Sequence, residues 1–110
     1  MKNIADIRQE YTKSGLRESE LPCDPLSLFS RWLQEAIDAN VEESTAVIVG
    51  TVSPEGRPST RTVLLKGLHD GKFIFYTNYE SRKGRQLAQN PYISLSFVWH
   101  ELERQVHIEG

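Results

Sequence analysis

The chain has 110 residues, of which 38% are hydrophobic and 25% charged, with a formal net charge of −2. That length supports one domain with a modest core, and no apolar run approaches the ~18 residues of a membrane span. Cys23 is the single cysteine, which excludes an internal disulfide and predicts a reducing compartment, the cytoplasm.

At the N-terminus, MKNIADIRQEYTKSGL lacks the continuous apolar stretch of a secretory signal. Ile4, Ile7 and Tyr11 recur at helical spacing and predict a short helix over 3–13. Residues 14–22 are polar and interrupted by Gly15 and Pro22, so 1–23 reads as an arm ahead of the main domain, 24–110. Asp24 then offers an N-cap and Pro25 a first helical residue. Phe29, Trp32, Leu33, Ala36 and Ile37 mark one apolar face, which predicts a helix over 25–39 with Trp32 in the core.

Beyond Ser44 the period changes to that of strands. TAVIVGTV (45–52) is β-rich, SPEGRP (53–58) has turn chemistry, and STRTVLLK (59–66) predicts a second strand. GLHDGK (67–72) reads as a second turn and FIFYTN (73–78) as a third strand. A helix is predicted from Ser81 to Gln89, stopping before Asn90-Pro91. YISLSFVW (92–99) and a strand from Arg104 complete the series, with Trp99-His100 readable as core or as surface. Short connections predict antiparallel pairing in a mainly β domain with flanking helices. The last strand has no turn or polar tail after it, so either another chain completes the sheet or, as expected here, the sheet continues in a longer chain.

Charge is unevenly placed. Between Arg57 and Arg85 stand seven basic residues against only Asp70 and Glu80. Arg82 and Lys83 fall in the first turn of a predicted helix, where the dipole already carries about +0.5 of an elementary charge. Cations there are unfavourable by roughly 0.3–1 kcal/mol each unless an anion meets them. Free amides capped by Ser81, the dipole and both side chains together make a phosphate site. The alternative is a solvated helix whose basic side chains bend toward water or Glu80.

Arg61 and Lys66 have opposite strand parity, so they share a site only if a bulge or strand end turns one of them. Otherwise both simply lead from core to solvent. Tyr76 and Thr77 could add hydroxyls to a phosphate cradle, or Tyr76 could be ordinary sheet packing. His69, His100 and His107 lack metal-ligand spacing, and no Walker loop, nucleophile elbow or dinucleotide fingerprint is present. A nucleic-acid surface fits poorly, because the aromatic residues lie in strands instead of alternating with the cations.

Six segments in this order resemble the pyridoxamine 5′-phosphate oxidase family, also called pyridoxine 5′-phosphate oxidase. They are RQEYTKSGL (8–16), DPLSLFSRWLQEA (24–36), RTVLLK (61–66), FYTNYESRKGRQL (75–87), Asn90-Pro91 and WHELERQVHIEG (99–110). The resemblance implies an FMN-binding split β-barrel, incomplete at the C-terminus here, that works as a homodimer with flavin at the subunit interface. It implies that Arg61, Thr62, Val63, Leu64, Leu65 and Lys66 line the flavin. Tyr76, Thr77, Arg82 and Lys83 would hold its phosphate, and Gln105 would contact the flavin. Lys66 would also reach the substrate phosphate, while Arg8, Gln9, Glu10 and Tyr11 would close over the substrate.

The implied reaction oxidises pyridoxine or pyridoxamine 5′-phosphate to pyridoxal 5′-phosphate, with oxygen as acceptor. Because flavin carries the redox chemistry, the protein needs no acid–base pair of its own. Neither membrane nor nucleic acid is an implied partner. Family members continue past residue 110, and their late Arg-x-His pair has no counterpart in this sequence. A split barrel that keeps flavin without oxidising B6 vitamers is the alternative.

Overall fold

A computed structural model describes residues 3–7, 16, 17, 19, 21, 24–76, 84 and 88–110. The predicted helix over 3–13 is replaced, where described, by one 3-10 turn, Ile4–Asp6, with Ile7 already extended. Its remainder, 8–13, lies outside the described residues.

Helix α1 spans Pro25–Asp38 and starts as its sequence dictates. The Leu26 amide donates to Asp24 Oδ1 at 3.1 Å, and Pro25 occupies a position where no amide is needed. It ends at Asn40, which adopts a left-handed φ of 57°. There the Asn40 amide donates to the Ile37 carbonyl and the Val41 amide to that of Ala36, both at 3.0 Å. This is a Schellman closure with asparagine in the place glycine usually takes, and it tucks Val41 into the core.

Four strands build one antiparallel sheet. β1 (Ala46–Val52) and β2 (Pro58–Leu64) form a hairpin. Its loop closes through the Gly56 amide to the Ser53 carbonyl and a positive φ of 84° at Gly56. β3 (Gly67–His69) and β4 (Lys72–Ile74) form a separate two-stranded hairpin. β5 (Ser94–Trp99) then returns to pair with β1, and β6 (Arg104–Glu109) pairs with β5, so the order is β2-β1-β5-β6.

The segment 67–72 is therefore not a turn, as its composition had predicted. Only Asp70 and Gly71 turn, with φ values of 51° and 72°, the paired positive angles of a tight hairpin. The third strand is correspondingly shorter than 73–78, ending at Ile74, with Phe75 and Tyr76 outside it. Of the helix predicted over 81–89, Gly84, Ala88 and Gln89 are helical.

Strand alternation sorts the sheet into two faces. Val47, Val49, Leu95, Phe97 and Trp99 point to one side, buried beneath Phe29 and Ala36 of α1. The Phe29 ring lies 4.9 Å from Phe97, 6.0 Å from Trp99 and 5.2 Å from Phe73, tying helix, sheet and side hairpin together. Trp99 belongs to the core, 1% exposed, with its Nε1 donating to the Ser44 carbonyl at 2.8 Å. Trp32 packs at the margin of this core beneath the Arg104 guanidinium, which also meets Glu35 at 2.8 Å. That pairing locks α1 to the edge strand β6.

Candidate site on the open face of the sheet

Helix α1 packs on the first face, and the opposite face carries large apolar side chains that are partly exposed. Register aligns Thr62, Ile48, Ser96 and His107 in one row across all four strands. Ile48 is 43% exposed, and Leu64 and Val98 on the same face are 44% and 39% exposed. Thr62, Leu64 and Gln105, three of the residues expected to line a cofactor, belong to this face by parity.

Arg61 and Val63 have the other parity, facing the side of Val49 and Val47. Val63 packs against the core, while Arg61 sits exposed on the edge strand. Lys66 lies beyond the end of the strand that carries Arg61. β2 stops at Leu64, Leu65 is buried and bonds the Thr45 carbonyl through its amide, and Lys66 turns toward the second hairpin. There the Lys66 amide donates to the Ile74 carbonyl at 2.7 Å. This contact sets Lys66 beside the chain leaving β4 toward Tyr76, which is exposed. Among the described residues neither Arg61 nor Lys66 is paired with a carboxylate.

The expected site residues thus fall into groups. Lys66 and the approach to Tyr76 come together at one end of β2. Gln105 shares the open face but stands on β6, three strand spacings from β2, or about 14 Å across the sheet. Thr77, Arg82 and Lys83, together with Arg8, Gln9, Glu10 and Tyr11, lie outside the described residues. A hollow of about 350 Å³ around Gly50, flanked by Thr60, Ser94 and Glu109, lies toward the Pro58 end of β2, away from Lys66. It is not where the predicted residues converge.

One arrangement on this face had no sequence signal. The Ser96 hydroxyl lies 3.0 Å from His107 Nδ1, and His107 Nε2 lies 3.4 Å from Gln105 Oε1. Strand parity puts Gln105 and His107 on one face, but only the β5–β6 register adds Ser96 opposite His107.

An antiparallel sheet packed by one helix on one face, with a side hairpin and an open second face, defines a split β-barrel, incomplete in these 110 residues. Residues 33–110 match the family model described as pyridoxamine 5′-phosphate oxidase. The chain belongs to that family. It is 98% identical over all 110 residues to a pyridoxine/pyridoxamine 5′-phosphate oxidase of Bacteroides thetaiotaomicron, covering 52% of that protein. It is 81% identical over 108 residues to the corresponding oxidase of Bacteroides fragilis, covering 98% of this chain and 46% of the relative. The chain therefore spans about half the length of the curated relatives it matches.

Among solved structures, PhzG from Burkholderia lata, in complex with tetrahydrophenazine-1-carboxylic acid, superposes with a TM-score of 0.83 at 33% identity. That match covers 89% of this chain and 50% of the other. A pyridoxamine 5′-phosphate oxidase-related, FMN-binding protein of Nostoc punctiforme superposes over 79% of this chain and 46% of its own, with a TM-score of 0.68 at 22% identity, a likeness of fold.

Proposed function

We propose that this chain is the flavin-binding front part of an FMN-dependent oxidase of pyridoxine 5′-phosphate or pyridoxamine 5′-phosphate, yielding pyridoxal 5′-phosphate with oxygen as acceptor. The observation that carries this reading is the end of β2. Two exposed cations, Arg61 and Lys66, with no carboxylate partner among the described residues, flank the segment 62–65, and the backbone of the second is bonded to Ile74, beside the chain that leads to Tyr76 and the basic stretch that follows it in sequence.

The residues present fit a phosphorylated flavin. Arg61, Lys66, Arg82 and Lys83 supply cations for phosphate, and Tyr76 and Thr77 supply hydroxyls. Thr62, Leu64 and the half-exposed Ile48 offer the mixed polar and apolar surface a flat ring system needs. The chemistry a bound flavin would supply is acceptance of a hydride from the substrate and transfer of electrons to oxygen. The protein's part is to bind and orient. Lys66, at the strand end, is free to serve the substrate phosphate while its backbone stays fixed to Ile74. Arg8, Gln9, Glu10 and Tyr11, in the 1–23 arm, would close over the substrate and exclude water.

The open face also supports a homodimer. Ile48, Leu64 and Val98 form an apolar strip that a second copy would cover, and Gln105 stands too far from β2 to be an obvious partner within one subunit. A cytoplasmic location completes this reading. No helix of the described residues is long and apolar enough to cross a membrane.

A second reading is favoured by one observation. PhzG shares the fold at 33% identity while holding tetrahydrophenazine-1-carboxylic acid, so a split barrel of this kind also holds other ring systems. The two readings separate on Lys66. In the full-length protein, Lys66→Ala is expected to raise the KM for pyridoxamine 5′-phosphate about tenfold or more, the size of one charge-assisted hydrogen bond. Its FMN affinity should change less. Equal losses in both would mean Lys66 belongs to the flavin alone, and full-length protein that binds FMN but forms no pyridoxal 5′-phosphate would favour the second reading.

A further inference from the structure

Gln105 is a side chain with two faces, a carbonyl that accepts and an amide nitrogen that donates. Which face a ligand meets depends on what holds the other. On the open face, its Oε1 is turned toward His107 Nε2 at 3.4 Å, and His107 Nδ1 is 3.0 Å from the Ser96 hydroxyl. Because an amide oxygen only accepts, this contact is a hydrogen bond in the tautomer that carries a proton on His107 Nε2. In the neutral ring Nδ1 then accepts from the Ser96 hydroxyl. In the charged ring the serine reverses and accepts instead, and the Nε2 bond is unchanged. With the proton on Nε2, the direction of the chain at Gln105 is the same in the neutral and the charged ring.

We propose that His107 is a positioning residue, which holds the Gln105 carbonyl and so presents the Gln105 NH2 group as a hydrogen-bond donor to an acceptor atom of the flavin. The inference rests on the flavin reading above and adds a polarity to it. The site offers a donor at this point, so it favours a ring edge that accepts and disfavours one that donates. Cross-strand register explains why the relay is built here. Ser96 and His107 are direct partners on β5 and β6, and Gln105 follows two residues along the same face. The 3.4 Å contact is long for a hydrogen bond, so the orienting effect is modest, about the size of one neutral hydrogen bond.

The test is a double-mutant cycle in the full-length protein, read by quenching of FMN fluorescence on binding. His107→Leu is expected to weaken FMN binding about five- to tenfold. In a Gln105→Leu background the same substitution should have no further effect, because nothing remains to be oriented. His107→Gln, which keeps a donor close to the Nε2 position, should recover most of the affinity. An equal loss from His107→Leu with and without Gln105 would overturn the inference, as would no loss in the parent background. Parent protein that takes up no FMN would overturn the flavin reading itself, and these two failures are distinguishable in one titration series.

Discussion

Replacing Arg82 and Lys83 together by alanine is expected to abolish most FMN binding while leaving the protein folded. Each charge-assisted hydrogen bond to a phosphate contributes about 1.5–3 kcal/mol, so losing two raises the dissociation constant roughly 100-fold or more. The apo protein should respond in the opposite direction. At the helix start that the sequence predicts for them, cations without a bound anion are unfavourable by about 0.3–1 kcal/mol each, so their removal should leave the apo melting temperature unchanged or slightly raised. This pairing of effects separates a lost site from a lost fold. Unchanged FMN affinity would mean that the basic residues are only a solvated surface.

The second large effect concerns the core that positions the open face. Phe97 is fully buried on β5, with ring centroids 4.9 Å from Phe29 and 5.8 Å from Trp99. Phe97→Ala removes the middle of that aromatic stack and leaves a cavity that helix and sheet close only in part. The expected loss is about 3–5 kcal/mol, against a total stability of about 5–15 kcal/mol for a typical domain. In a protein of the relatives' length this corresponds to a fall of about 6–20 °C in melting temperature. FMN affinity at low temperature should fall much less, because Phe97 points away from the open face. A melting temperature equal to the parent's would contradict the assignment of this cluster as the core, as would a selective loss of FMN without loss of stability.

Local chemistry made much of this fold legible. Asp24 and Pro25 announced α1, and alternating burial in β1 and β5 followed from Val47, Val49, Leu95, Phe97 and Trp99. The β3–β4 hairpin was missed because Gly67, His69 and Lys72 dilute its apolar pattern. The usable signal was the Asp70-Gly71 dipeptide, which suits the two positive φ angles of a tight turn. Strand order was not legible for a different reason. The register of Ile48 with Ser96 joins segments 48 residues apart, across a hairpin and a helical stretch, and no local pattern encodes such pairing.

The site divides in the same way. The resemblance at 61–66 only implied flavin-lining residues, and the structure adds that Lys66 lies past the strand end with its amide bonded to the Ile74 carbonyl. Gln105 was expected as a flavin contact from its motif alone, whereas its link through His107 to Ser96 depends on the β5–β6 register and could not be anticipated. Arg104 was equally silent. Its motif gave no hint that it bridges Glu35 and covers Trp32, joining helix to edge strand.

The basic zone is an anion site on this account, and a comparison of FMN with riboflavin tests that most directly. Both share the same ring system, and only FMN carries the phosphate. Titrated into the full-length apo protein, FMN should bind to saturation, whereas riboflavin should bind at least about 100-fold more weakly, as expected for two missing charge-assisted hydrogen bonds. Equal affinities for the two flavins would contradict the account, because the cations would then have no part in holding the ligand.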